Sequence, residues 1–270
     1  MTALRFVPVA VAAAFAAALA GQSAEPAAAA ATASSVSTNW AGYAVGGRRF
    51  RRVTGTWRVP SGSCTAGRAT YSAAWVGLGG FDASSQALEQ AGTELDCGRS
   101  GRASYSAWYE LVPANSRTIG MKVHPGDTIT GIVAVSGKRV TLQLVNRTTG
   151  KRFAKAATMS APDVTSAEWI VEAPSGCSAS SCTQLPLANF GSVSFTGARA
   201  TTTGGHTGTV SDPAFSATRL DLSQGGSSFS SAAGALASSL SATGGAFGVT
   251  YRESVAARAK PTTTFPASRK

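Results

Sequence analysis

The stretch Ser166-Ala167-Glu168-Trp169-Ile170-Val171-Glu172 decides how this chain folds. Its strict alternation reads as a β-strand, with Glu168, Ile170 and Glu172 on one face and Trp169 and Val171 on the other. The Trp169 face is a core face. The opposite face carries two carboxylates, which a strand built only for packing avoids, because an unpaired buried charge costs several kcal/mol. Polar residues on one side are also ordinary in a half-exposed sheet. The stretch alone leaves a functional carboxylate and a solvated face both open, and residues elsewhere must decide.

Outward from this strand, past residue 34, the chain keeps the same character. Short apolar or alternating runs are punctuated by Gly, Ser and Pro, and no long helical period occurs. Strands are expected at residues 39–45, 53–59, 71–78, 87–94, 104–111, 128–135, 140–145, 192–195, 216–220 and 247–251. Residues 223–245 are rich in Ser, Gly and Ala and read either as an inserted loop or as a short Ala-Leu helix. Ten or more short strands with turn signals imply an all-β fold, an antiparallel two-sheet β-sandwich.

The first twenty residues read as an export signal. Arg5 supplies the charge, residues 7–19 an apolar run, and Ala18-Leu19-Ala20 a small-x-small cleavage site. Residues 21–34 are half Ala and featureless and read as a leader or pro-segment, residues 35–258 as the β-domain, and residues 259–270 as a frayed tail. No later stretch approaches the ~20 apolar residues of a membrane helix. The expectation is a secreted monomer with no membrane partner.

Cys64, Cys97, Cys177 and Cys182 suit that address. Four cysteines permit three pairings. Cys177 and Cys182 are close enough to clip one loop, which leaves Cys64 with Cys97. Metal ligation is the rival reading, but the cysteine spacings do not fit zinc and the histidines are only His124 and His206. No metal or other cofactor is expected.

Twenty-four Lys plus Arg against thirteen Asp plus Glu give a formal charge of +11. Apart from the run Arg48-Arg49-Phe50-Arg51-Arg52 the basic residues are scattered, and no nucleic-acid motif accompanies them. They read as a solvated face, with no nucleic-acid partner. The Ala- and Arg-rich usage looks bacterial.

The familiar hydrolytic sets fail in turn. A Ser-His-acid triad needs a well-placed imidazole, yet His124 sits at a turn signal and His206 in a Thr/Gly loop. A cysteine nucleophile needs a free thiol. A two-aspartate site commonly uses a pair of Asp-Thr-Gly loops, and the chain has none. Carboxylates and amides are left.

Five segments then carry a specific resemblance. Asn39-Trp40-x-Gly42, Trp75-Val76-Gly77, Gln90-Ala91-Gly92, Ala107-Trp108-Tyr109-Glu110 and Ala167-Glu168-Trp169-Ile170-Val171-Glu172 follow one another as in the glutamic peptidases, or eqolisins. The order and spacing hold from about residue 37 to about residue 200. The resemblance implies a concanavalin A-like jelly-roll sandwich and an endopeptidase that acts on proteins and peptides through a Gln/Glu pair without metal. Carried over, the catalytic pair is Gln90 and Glu172, and Glu168 is a framework residue. Trp40, Trp75, Tyr109 and Glu110 fall in or beside motifs that line the family's cleft. Where the family usually reads Trp-Val-Gly-x-Asp-Gly, this chain has Leu78-Gly79-Gly80, with Asp82 one turn later as a stand-in. Glu94 stands near Gln90 where the family often has Asp.

The chemistry agrees. Peptide hydrolysis needs a base for water, an acid for the leaving amine and a donor for the oxyanion. Glu172 serves the first two in sequence, and the Gln90 amide serves the third. Trp57 and Trp169 read as core, while Trp40, Trp75 and Trp108 suit either core or cleft walls. Two other readings stay open. One is a glycoside hydrolase, whose paired carboxyls must lie ~5–9.5 Å apart, against roughly 13 Å for Glu168 and Glu172 on a regular strand. The other is a lectin-like carbohydrate-binding module.

Overall fold

The computed structural model describes residues 32–82, 84–178, 181–224, 233–253 and 264–266. The expected export signal and most of the leader lie outside these residues. So do most of the expected tail and residues 225–232 of the Ser/Gly/Ala stretch. Within the described residues there are strands and no helix.

The first nine strands are β1 (Ala33–Ser37), β2 (Trp40–Gly46), β3 (Phe50–Arg58), β4 (Thr70–Gly79), β5 (Leu88–Cys97), β6 (Ala103–Val112), β7 (Arg117–Ile119), β8 (Thr128–Ser136) and β9 (Arg139–Asn146). The rest are β10 (Arg152–Thr158), β11 (Ala167–Glu172), β12 (Ser175–Cys177), β13 (Cys182–Gln184), β14 (Ser192–Thr202), β15 (Thr207–Thr209), β16 (Ser216–Ser223), β17 (Gly234–Ala237) and β18 (Phe247–Arg252). They form one hydrogen-bonded path in the order β10-β9-β8-β3-β14-β18-β17-β16-β2-β11-β4-β5-β6-β7, plus the β12–β13 hairpin. The strand ladders are antiparallel except that of β1, which lies parallel to β16.

The path doubles back so that β3 and β8 pack over β11 and β4, giving a nearly closed antiparallel sandwich. The indoles of Trp57 and Trp169, both at most 1% exposed, fill the space between layers. Each also ties the layers by a hydrogen bond, Trp57 Nε1 to Thr93 Oγ1 at 2.9 Å and Trp169 Nε1 to the Thr54 carbonyl at 2.7 Å. Burying such side chains stabilises by roughly 1.5–3 kcal/mol each. The close approach is possible because β3 and β8 present Gly55 and Gly131. A Cβ on Gly55 would stand 2.6 Å from Trp169 Cδ1, and one on Gly131 would stand 2.7 Å from Val76 Cγ2. Cys64–Cys97 and Cys177–Cys182 are disulfides.

Three local outcomes differ from the sequence expectation. β1 begins at Ala33, two residues before the expected start of the domain. β17 is a strand inside the Ser/Gly/Ala stretch, where a loop or helix was expected. Thr264–Pro266 of the expected frayed tail packs on the sandwich, with Phe265 only 5% exposed.

Candidate active site

Register fixes which side chains share a face. Opposed residues of neighbouring strands point the same way, so three rows cross β2, β11, β4, β5 and β6 on the side away from the inter-layer core. The first row is Trp40, Glu172, Ala73, Glu94 and Ser106. The second is Gly42, Ile170, Trp75, Gly92 and Trp108. The third is Ala44, Glu168, Gly77, Gln90 and Glu110. Trp40, Trp75, Gln90, Glu110, Glu168 and Glu172 are all 0% exposed.

The structure therefore gathers Gln90, Glu172, Trp40, Trp75 and Glu110 onto one face, and Trp108 joins them as a wall rather than inter-layer core. Tyr109 is the exception and needs correcting. It lies between Trp108 and Glu110 in an alternating strand, so it points the other way and stacks on Phe153 with ring centroids 5.7 Å apart. It does not line this face.

Trp75 dominates the centre. Its Nε1 donates to Glu172 Oε2 at 2.8 Å, and its ring edges against Trp40 at 5.0 Å and 77°. Room for the indole comes from two glycines. A Cβ on Gly92 would lie 2.6 Å from Trp75 Cβ, and one on Gly77 2.9 Å from its Cζ3. Glu172 is thus a buried carboxylate held by an indole donor, with aromatic walls on either side. Charge-assisted bonds of this kind are among the stronger ones.

Gln90 is aimed in a similar way. Its Nε2 donates to Glu110 Oε2 at 2.7 Å, while its Oε1 has no hydrogen-bond partner among the described residues. The indole Nε1 atoms of Trp40 and Trp108 are likewise buried and unpartnered. Buried polar groups are normally satisfied; these three atoms, with the two oxygens of Glu168 on the same face, leave polar capacity that the described residues do not satisfy.

Gln90 stands in the row of Glu168, and the row of Glu172 is four residues away along β4. The two carboxyls differ in their hydrogen-bond partners, Glu172 accepting from Trp75. Neither oxygen of Glu168 has a hydrogen-bond partner. Complete burial pushes its carboxyl well above the usual range, the nearby Ser166 hydroxyl offsets this only in part, and the charges of Asp163 and Glu89 push it further. Burial likewise raises Glu89 to about 8. Burial thus favours the protonated form of Glu168.

The carboxylate missing at position 79 has a different replacement from the one expected. Asp82 is exposed and bonds to Ser84. Asp163, from the loop before β11, instead comes to Gly79, where an added Cβ would meet Asp163 Cβ at 2.5 Å. Its Oδ2 accepts from Ser85 Oγ and, at 3.3 Å, from the Gly80 N–H. Burial opposes ionisation of Asp163, but bonds from Ser85, Thr165 and Gly80 outweigh it and hold the carboxyl below its usual range. Nothing in the sequence signals this, because residue 163 lies far along the chain from residue 79. Glu94 accepts from Ser106 Oγ at 2.7 Å at the end of the first row.

The sequence matches the Peptidase A4 family over residues 38–244. It is 34% identical over 215 residues to Aspergillopepsin-2 of Aspergillus niger, covering 71% of this chain and 72% of that one. Among solved structures, the fold resembles scytalido-glutamic peptidase in complex with a peptide-based transition state analog. There the TM-score is 0.65 and the identity 27%, over 80% of this chain and 98% of that one. It also resembles aspergilloglutamic peptidase from Aspergillus niger, with a TM-score of 0.54 and 33% identity over 68% and 99% of the two chains.

Proposed function

The chain belongs to the Peptidase A4 family and is a glutamic endopeptidase, and from that premise we propose that Glu172 and Gln90 are its catalytic pair, in a secreted enzyme active at acidic pH. The observation that carries the pair is the Trp75–Glu172 hydrogen bond on the face that also holds Gln90 and the orphaned indole donors. Family membership sets aside the carbohydrate readings.

In the proposed reaction the peptide lies across the Trp75 row with its scissile carbonyl between Glu172 and Gln90. Glu172, as carboxylate, takes a proton from water as the water adds to the carbonyl carbon. The Gln90 Nε2–H donates to the developing oxyanion, and Glu110 orients that amide through its bond to Nε2. Glu172, now the acid, returns the proton to the leaving nitrogen, and the carbon–nitrogen bond breaks. Trp75 holds one carboxylate oxygen and so fixes the orientation of the group. A solved relative holds a peptide-based transition state analog, which supports a peptide in the corresponding position here. A carboxyl that acts in turn as base and acid suits acid conditions, and the basic chain, with a formal charge of +11 at pH 7, repels cationic substrates at low pH.

Glu172→Gln keeps size and hydrogen bonding but removes the proton acceptor, so turnover of a denatured protein substrate should fall by ~100-fold or more. Glu168→Gln should cost far less, because burial favours the protonated carboxyl that the amide imitates. If the Glu172 variant keeps most of its activity and the Glu168 variant loses it, the assignment passes to Glu168, which shares Gln90's row.

A further inference from the structure

Phe265 sits beside the proposed base. Its ring stacks on Trp40 with centroids 4.5 Å apart at 18° and on Phe81 at 5.3 Å and 22°. Trp40 is the register neighbour of Glu172 and edges onto Trp75. Phe265 thus completes the apolar cluster of Trp40, Trp75, Leu88, Trp108 and Ile170 around the acid.

The main chain of the same residue is held by one side chain. Phe265 N donates to Asn39 Oδ1 at 3.1 Å, and Asn39 Nδ2 donates to the Phe265 carbonyl at 2.9 Å. An amide satisfies both backbone groups of one residue in this way without regard to its side chain. Asn39 is 1% exposed and fixed in turn by Ser37 Oγ, which donates to Oδ1 at 3.0 Å. Thr264 adds a hydroxyl contact of 2.8 Å to Thr38, whose carbonyl accepts from Gln184 at the end of the disulfide-clipped hairpin. A rigid amide that captures a backbone, beside a flat aromatic that captures a ring, is a built peptide subsite.

We propose that Asn39, Trp40 and Phe81 form a subsite for an aromatic residue of the peptide substrate, and that the chain's own Thr264–Pro266 fills it and competes with substrate. The proposal rests on the reading of this face as the substrate cleft and is tested by binding as well as turnover. A tethered ligand acts at an effective concentration near the millimolar range, so even a weak intrinsic affinity keeps the subsite filled. An external peptide then sees only the fraction of molecules whose tail has left, which raises KM and leaves kcat alone.

Three measurements test it. A chain ending at Thr263 should show KM for a Phe-containing peptide lowered about tenfold with kcat little changed. The peptide Thr-Thr-Phe-Pro-Ala, copied from residues 263–267, should bind that shortened chain in calorimetry, and its Phe-to-Ala analogue should not. The third does not depend on the shortened chain folding. Thr38→Cys with Thr264→Cys in the full chain should cross-link the tail in place and abolish proteolysis, and mild reduction should restore it, judged against wild type in the same reductant. Unchanged KM on shortening, no binding of the copied peptide, or full activity in the cross-linked form would each overturn the proposal. None of these outcomes bears on whether Glu172 is the base, which the Glu172→Gln variant decides separately.

Discussion

The indole Nε1 of Trp75 lies 2.8 Å from Oε2 of Glu172, so a residue of β4 fixes the carboxylate of the neighbouring strand β11. The bond favours the charged form and commits one oxygen. Trp75→Phe should keep the aromatic wall and lose the donor. Its pH–rate profile should have an acidic limb displaced to higher pH, with kcat reduced more than KM is changed. Steady-state kinetics from pH 2 to 7 read this directly, and an unmoved limb would mean the indole serves packing alone.

Gln90→Ala removes the proposed oxyanion donor and should lower turnover by ~100–1,000-fold. Glu110→Gln keeps the partner's shape but frees the Gln90 amide to rotate, so it should fall between this variant and wild type. Melting temperatures should stay near wild type for Glu110→Gln if its role is orientation.

Glu89 and Glu168 make the fold itself acid-loving. Both carboxyls are raised by burial, Glu89 from 4.5 to about 8. Folding favours their protonated forms, so their contribution is complete below about pH 4.5 and lost as pH rises through about 8. At 1.36 kcal/mol per pH unit the effect of Glu89 alone is roughly 4–5 kcal/mol. Melting temperature should peak in acid and decline steadily toward pH 8, and Glu168→Gln should flatten that decline. A melting temperature that rises from pH 4 to pH 8 would refute it.

The two disulfides should differ in worth. On the chain-entropy account, a closed loop of 33 residues is worth roughly 3–4 kcal/mol and one of 5 about 2 kcal/mol. Replacing Cys64 and Cys97 by Ser should therefore lower the urea midpoint more than replacing Cys177 and Cys182. The smaller bridge should show instead in KM, because its hairpin steadies Thr38 next to the peptide subsite.

Gly55→Ala places a methyl 2.6 Å from Trp169 Cδ1. Overpacking of this kind costs about 1–3 kcal/mol, so a fall of several degrees in melting temperature is expected without loss of activity per folded molecule.

What could be read from the sequence follows from how each element earns its stability. Strands with at least one buried face, such as β9, or with both buried, such as β4 and β11, carry alternation or an apolar run and announce themselves. The edge strand β10, largely exposed, needs no apolar pattern and left none. β1, β7 and β15 are short or polar and are held by backbone pairing, to which sequence period is blind. That Trp75, Gln90, Glu110 and Glu172 share one face was legible because motif and alternation agree on them. Strict alternation would also have excluded Tyr109, which was admitted through its motif alone. Phe265 gave no signal, since a lone aromatic between threonines and a proline has no period to reveal its partner.

Gly79 and Asp163 constrain each other. The carboxylate arriving from the loop before β11 fills the space over residue 79, where an added Cβ would stand 2.5 Å from Asp163 Cβ. Residue 79 also holds φ +81°, a left-handed conformation that strains any side chain and that glycine alone adopts freely. Moving the acid from 163 to 79 should therefore fail even as a paired exchange unless the turn at 79–80 changes with it, and Gly79→Asp made alone adds the collision to that strain.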